Sequence, residues 1–200
     1  MDHCDYEQAE IVHDLTTPIP DSMANIADFI IDGSTLDNVF DPSTAIKNLA
    51  RMLRPGGRIF SINMGSNHYG PYTILTAPWV FDFFVINGFV DCKVYMFVSQ
   101  PEGPYNIFRI DLDYFSEEGP HLPNFIAPSE NVMGIYFIAE KGETSDWKQS
   151  PIQQFYQEKE MKATFLKNIE KIKNYGSRPD IVFSSVPPFI DPPLGYKFIK

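Results

Sequence analysis

The sequence is poor in cysteine and has no long uninterrupted apolar run. It contains two cysteines, Cys4 and Cys92, so at most one disulfide could form, and neither cysteine has metal-motif spacing. The most apolar stretch, residues 74–90, is broken by polar residues, proline and glycine. These deficits argue against a disulfide-stapled scaffold, a metal centre built on cysteine and a membrane-spanning helix.

Basic residues are also scarce. The chain has 16 Lys and Arg against 26 Asp and Glu, for a net charge of −10. Because phosphate neutralisation needs a basic surface, this balance disfavours a nucleic-acid partner. Residues 1–10 have no basic segment followed by an apolar one, so no secretory signal is expected. We therefore expect a cytoplasmic protein that binds neither nucleic acid nor membrane.

What the chain does have is enough apolar sequence for a globular core. It has 200 residues, of which 44% are hydrophobic and 21% charged. The stretch around which the chain is organised begins with a β-branched run at residues 29–31, typical of a buried strand. Asp41 and Pro42 then form a helix start, and the sequence PGG at residues 55–57 marks its end before a second apolar run at 58–62. The apolar helix positions are Ile46, Leu49, Ala50 and Leu53. This order predicts a βαβ unit with two parallel strands.

The same residues resemble a known family. The sequence TLDNVFDP at residues 35–42, followed by RMLRPGGR at 51–58, is similar to the segment from the fourth to the fifth strand of class I S-adenosylmethionine-dependent methyltransferases. Many relatives have Leu-Glu-His-Val where this chain has LDNV at residues 36–39. The resemblance implies an α/β, Rossmann-like, doubly wound and mostly parallel sheet with an antiparallel edge pair. It also implies S-adenosylmethionine as cofactor and methyl transfer to an oxygen or nitrogen of a small molecule, such as a sugar.

The resemblance also implies a set of cofactor-binding residues. Asp2 corresponds to the acid that holds the ribose hydroxyls, although a frayed and solvated terminus is an equal alternative. Asp14 stands where an acid often accepts the adenine amino group, and it is equally a common turn residue. Asp32, Gly33 and Ser34 would line the methionine end.

The loop after the second strand of the unit is the best candidate for the acceptor side. Asn63, His68 and Tyr69 would face the acceptor, because ligands of open α/β sheets bind at the carboxyl ends of parallel strands. His68 could act as a general base, or it could be an ordinary surface histidine, because methyl transfer can proceed through orientation alone. No metal is predicted, since Asp111 and Asp113 have no histidine spaced to join them.

The remaining elements are predicted from periodicity and capping residues. Strands are expected at residues 9–13, 89–98, 108–114 and, as the final strand, 132–139; a helix is expected at 78–87, ended by Gly88. The last two family strands would form the edge pair, with an insertion at 105–129. Helical stripes from Ser150 to Gly176 fit one bent helix or two, and the proline-rich tail 178–200 cannot be a helix or a central strand. We expect a methyltransferase-like domain at 1–141 and a helical extension at 142–200.

One family feature is missing. No G-x-G-x-G turn occurs, and the first strand of the family sheet and its helix have no counterpart. Without that strand, the strand at 29–31 would have an unpaired edge. The chain could be N-terminally incomplete, completed by a partner chain or a homo-oligomer, or a degenerate relative. The alternatives to a methyltransferase are a non-catalytic binding module acting through its C-terminal helix and tail, and another doubly wound nucleotide-binding enzyme.

Overall fold

A computed structural model describes residues 1–5, 8–66, 70–99, 105–116, 131–175 and 191–199. Within these ranges, six strands form one sheet and three α-helices pack against it. The elements are β1 (Ala27–Gly33), α1 (Pro42–Met52), β2 (Leu53–Met64), α2 (Ala77–Ile86), β3 (Asp91–Ser99), β4 (Tyr105–Ile110), β5 (Val132–Glu140), α3 (Lys159–Asn174) and β6 (Tyr196–Phe198).

The predicted βαβ unit is present. Strands β1 and β2 pair in parallel, and Asp41 caps α1 by accepting a 3.0 Å hydrogen bond from the main-chain N–H of Thr44. The predicted end of the helix is wrong by a few residues, because α1 ends at Met52 and both Leu53 and the PGG segment belong to β2. A Cβ at Gly57 would lie 2.9 Å from the carbonyl oxygen of Ala27, so glycine is needed where the strands approach.

The sheet order is β1-β2-β5-β3-β4-β6. The pair β1–β2 is parallel and the four other pairs are antiparallel, so that β1, β2, β3 and β6 run in the same direction. The predicted α/β, Rossmann-like fold is confirmed, with a mixed sheet. The antiparallel part is larger than the predicted edge pair, because β5 lies inside the sheet between β2 and β3, and β4 and β6 extend the sheet beyond β3. No described strand pairs with the outer edge of β1.

Three predicted elements differ from the structure. Residues 9–13 are not a strand, and Val12 forms only an isolated bridge with Asp2. The strand predicted at 108–114 ends at Ile110, because the Asp111 side chain accepts a hydrogen bond from the N–H of Asp113 and starts a 3-10 turn. The segment after Ser150 forms only a 3-10 turn before α3 begins.

Two other predictions concern the end of the chain. The strand β5, predicted to be the last, is followed by β6, which pairs with β4 at the sheet edge. An edge position is compatible with the prediction that the tail holds no central strand. The helix predicted at 78–87 is confirmed as α2, and Gly88 follows it with φ of +71°.

The helices share one core with one face of the sheet. Residues of all three helices and of β2, β3 and β5 contribute to it, and Phe165 of α3 meets Phe81 of α2 with ring centroids 6.1 Å apart. On the other face, β1 exposes Phe29 by 56% and Ile31 by 71%. None of the helices in the described part of the chain has the length and apolarity needed to cross a membrane.

Candidate functional site

The parallel pair β1–β2 brings two chain segments together at the carboxyl edge of the sheet. Gly33 lies opposite Ile62 in the strand register, so the residues that follow β1 lie beside the end of β2. Thr73 donates a 3.0 Å main-chain hydrogen bond to the carbonyl of Asp37, which places the loop after β2 against the loop after β1. This edge is where open α/β sheets bind ligands.

Asp37 is the anchor of this edge. Its side chain is fully buried and accepts hydrogen bonds from the Ser34 hydroxyl at 2.9 Å, the Asn38 amide at 3.0 Å and the Met64 N–H at 2.7 Å. A buried carboxylate with this many donors is well compensated. Sequence reasoning noted Asp37 as the altered acid of the LDNV segment but did not identify its role in joining β1 to β2.

A second buried network joins the two strand ends directly. Ser61 donates a 2.5 Å hydrogen bond to Oδ2 of Asp32, and the Asn63 amide donates to Ser61 at 2.6 Å and to Asp32 at 3.3 Å. The other carboxylate oxygen of Asp32 accepts from the N–H of Thr35 at 2.8 Å. Two predicted site residues, Asp32 and Asn63, are thus brought together, but these polar atoms bond to protein groups. Their contact with ligands stays a prediction.

The predicted ribose and adenine residues also meet. Asp2 and Asp14 line one pocket of about 400 Å³ that extends to the loop after β1. The pocket is lined by Met1, Asp2, His3, His13, Asp14, Leu15, Thr16, Thr35, Asn38 and Val39. Carboxylates are acceptors for hydroxyl and amino donors, so the residues present suit the ribose and adenine of a nucleoside.

The N-terminal segment of the pocket is held in place by main-chain pairing. The N–H of Asp2 donates to the main-chain carbonyl of Ile11 at 3.0 Å, and the N–H of His13 donates to the main-chain carbonyl of Asp2 at 2.9 Å. Among the described residues, the Asp2 side chain accepts only a long, 3.4 Å hydrogen bond from the N–H of Cys4. The Asp2 carboxylate therefore retains capacity to accept hydrogen bonds from a ligand.

Asp14 forms the turn interaction that its position predicts, and its contact with adenine stays a prediction. One carboxylate oxygen, Oδ1, accepts hydrogen bonds from the Thr16 hydroxyl at 2.7 Å and the Thr16 N–H at 2.9 Å, which is a turn interaction. The Thr16 hydrogen bonds hold the pKa of Asp14 below its ordinary value. Asp14 is therefore an ionised acceptor at neutral pH, and its other oxygen, Oδ2, makes no hydrogen bond in the described part of the chain.

The remaining predicted residues have different outcomes. Gly33 is exposed, and apart from its chain neighbours no atom of the described residues lies within 4 Å of where its Cβ would be. Ser34 adopts a positive φ of 71° and directs its hydroxyl to Asp37. His68 and Tyr69 lie outside the described residues. Thr35 and Asn38, which line the pocket, were not predicted individually, although they belong to the segment that carries the resemblance.

A family model matches part of the chain. Residues 3–61 match the family model described as "Methyltransferase domain". The match supports the predicted family, the class I S-adenosylmethionine-dependent methyltransferases, over these residues. The match includes Asp14, the loop after β1 and the βαβ unit as far as Ser61. Proteins of this family generally use S-adenosylmethionine as methyl donor. No curated protein matches the chain.

Proposed function

We propose that this methyltransferase-family chain binds S-adenosylmethionine in the pocket of Asp2 and Asp14 and methylates an oxygen or nitrogen of a small molecule, such as a sugar. The observation that carries the proposal is the meeting of Asp2 and Asp14 with Thr35 and Asn38 in one pocket. All but Asp2 lie within the residues matched by the methyltransferase model, and Asp2 immediately precedes them.

Each acid has a defined part in the proposed complex. The Asp2 carboxylate would accept hydrogen bonds from the ribose hydroxyls, and Oδ2 of Asp14 would accept one from the adenine amino group. Gly33 and Ser34 would lie beside the methionine end, where the space next to Gly33 is open. Asp32 would act mainly by fixing the backbone after β1, since the Thr35 N–H is bonded to it.

S-adenosylmethionine supplies an electrophilic methyl group when it is bound. The protein's task is to hold the acceptor in line with that group, since orientation accounts for much of the rate enhancement in such a displacement. Asn63 and Tyr69 are proposed to orient the acceptor, and His68 is proposed to take the proton that the acceptor loses.

Isothermal titration tests the cofactor site. We expect saturable binding of S-adenosylmethionine to the wild-type chain. In Asp2→Asn and in Asp14→Asn the affinity should be at least about tenfold weaker, which corresponds to a loss of about 1.4 kcal/mol in binding free energy. Glu10→Gln is the matched control, because Glu10 is an exposed acid of the same segment that does not line the pocket. Absence of heat with a folded chain, or equal affinity in all variants, would contradict the proposal.

A separate assay tests the chemistry. Formation of S-adenosylhomocysteine is to be measured with panels of sugars, alcohols and amines as acceptors. His68→Gln is expected to lower the rate most below the pKa of the acceptor, because a base is needed only while the acceptor is protonated. A rate that is unchanged at every pH would remove His68 from the mechanism.

The alternative of a non-catalytic module acting through the C-terminal helix has less support. The apolar stripe of α3, formed by Phe165, Ile169 and Ile172, is buried in the shared core. That stripe is therefore not available to a partner while α3 stays packed on α2. A folded chain that binds no S-adenosylmethionine in the titration would favour the module.

A further inference from the structure

A second cavity lies in the helical layer, apart from the pocket of Asp2 and Asp14. Its volume is about 380 Å³, and it lies between α1, α2 and the segment that precedes the 3-10 turn at Gln154–Tyr156. It shares no lining residue with the first pocket. Apolar side chains, including Ile46, Trp79 and Phe83, form much of its wall.

Asp82 is the unusual residue of this cavity. It belongs to α2, lines the cavity and is only 4% exposed. The Gln154 side-chain amide donates a hydrogen bond to one of its carboxylate oxygens. Asp82 forms no ion pair with any residue that the structure describes. A buried carboxyl without a cation is costly to ionise and is rarely kept for packing alone.

Lys47 supplies the opposite charge on another wall. Its Nζ donates a 2.6 Å hydrogen bond to the hydroxyl of Ser150, and it forms no ion pair within the described ranges. Lys47 and Asp82 therefore both face the same cavity without neutralising one another. Trp79, half-buried beside them, offers an aromatic surface that attracts cations.

We propose that this cavity binds a small zwitterion with an apolar body, of the class of hydrophobic α-amino acids. The ligand's ammonium group would pair with Asp82 and contact Trp79. The carboxylate would pair with Lys47, and the hydrocarbon side chain would pack on Ile46 and Phe83. Such a ligand supplies the countercharge that the buried Asp82 lacks and pairs with Lys47 at the same time, whereas an apolar ligand would leave the buried acid uncompensated.

The protonation of Asp82 gives the proposal a distinct signature. Burial raises the pKa of Asp82 to about 7, and the Gln154 hydrogen bond offsets part of that increase. The other ionisable groups that face Asp82 are Tyr196 of β6, Cys92 of β3 and Lys47 across the cavity. Burial raises the pKa values of Tyr196 and Cys92, and the charge of Asp82 adds to that increase. Pairing with an ammonium group favours the ionised carboxyl, so ligand binding near neutral pH is expected to release a proton.

Three matched probes separate the contributions of the two charges. Phenylalanine has both groups, 2-phenylethylamine only the ammonium and 3-phenylpropionate only the carboxylate. Calorimetry with the full chain is expected to give the highest affinity for phenylalanine, a lower one for 2-phenylethylamine and the lowest for 3-phenylpropionate. Asp82→Asn should weaken the binding of phenylalanine and of 2-phenylethylamine by about tenfold or more. Lys47→Met should reduce the affinity for phenylalanine to that for 2-phenylethylamine. Glu143→Gln, an exposed acid outside the cavity, is the control.

A variant-free measurement keeps the proposal testable if Asp82→Asn does not fold. Wild-type titrations with phenylalanine near pH 7, in buffers of different ionisation enthalpy, should show proton release. Absence of binding by all three probes, stronger binding of 3-phenylpropionate than of the amine, or binding without proton release would overturn the proposal. S-adenosylmethionine binding has no bearing on these outcomes, because Asp14→Asn should leave the phenylalanine affinity unchanged.

Discussion

The main-chain N–H of Met64 donates a 2.7 Å hydrogen bond to Oδ2 of Asp37, which joins the last residue of β2 to the loop after β1. The Ser34 hydroxyl donates to the same carboxylate at 2.9 Å. The edge of the candidate site is thus held by a buried acid that has no proposed contact with ligand. Removal of the Asp37 carboxylate should lower the stability of the fold, and any effect on cofactor binding should follow from that loss.

Asp37→Ala is expected to lower the free energy of unfolding by about 3 kcal/mol, because it removes the acceptor of the Met64 N–H and two side-chain hydrogen bonds of a buried carboxylate. Asp37→Asn, which keeps one acceptor oxygen, should cost about half as much. Urea unfolding measures both. Asp191→Ala serves as the control, since Asp191 is exposed; an equal loss in that variant would show that the network contributes nothing specific.

Thr16 provides a test of how Asp14 is held. Thr16→Val removes the hydroxyl that donates a 2.7 Å hydrogen bond to the Asp14 carboxylate while keeping the side-chain shape. If Asp14 contacts adenine as proposed, S-adenosylmethionine affinity should fall about threefold to tenfold, the range of one such hydrogen bond. Thr17→Val is the matched control, because the Thr17 hydroxyl donates to the main-chain carbonyl of Asp14. Equal affinities for the two variants would argue against a role for the carboxylate's orientation.

Lys141 ties the end of α1 to the sheet. Its Nζ donates hydrogen bonds to the carbonyls of Ala50 at 3.0 Å and Leu53 at 2.7 Å and to the Asn25 side chain at 3.1 Å. Lys141→Met should lower the free energy of unfolding by about 2 kcal/mol, because these acceptors lose a buried charged donor. Lys148→Met, at an exposed lysine, should change it by less than about 0.5 kcal/mol. Thermal and urea unfolding are the measurements, and similar losses in both variants would contradict this role.

Local patterns were sufficient to predict the elements near the site. The unit β1-α1-β2 was predicted because Asp41 and Pro42 fix the helix start and the apolar positions fix its buried face. The helix α2 was predicted for similar reasons, with Gly88 at its end. Each of these features depends on residues only a few positions apart.

Long-range relationships could not be predicted in the same way. Asp32 and Asn63 bond to each other through a strand register that the sequence does not state. The position of β4 and β6 beyond β3 also depends on pairing between distant residues. The end of β4 is a different case, because the alternation continues to Tyr114 while the Asp111 side chain turns the chain. The turn-forming residue Asp111 can be seen in the sequence, but the alternating pattern through Tyr114 favoured a longer strand.

The buried carboxyl of Asp82 should make stability depend on pH. Its folded-state pKa of about 7 lies above the unfolded value of 3.8, so the folded state binds more protons between these limits. The contribution of Asp82 to the free energy of unfolding is fully present below pH 3.8 and is lost as the pH rises through 7. The total loss in the free energy of unfolding is up to about 4 kcal/mol. Asp82→Asn lacks this ionisation. Its free energy of unfolding, compared with wild type by urea titration from pH 4 to pH 8.5, should therefore rise relative to wild type across that window. A constant difference would mean that Asp82 is not desolvated as the structure indicates.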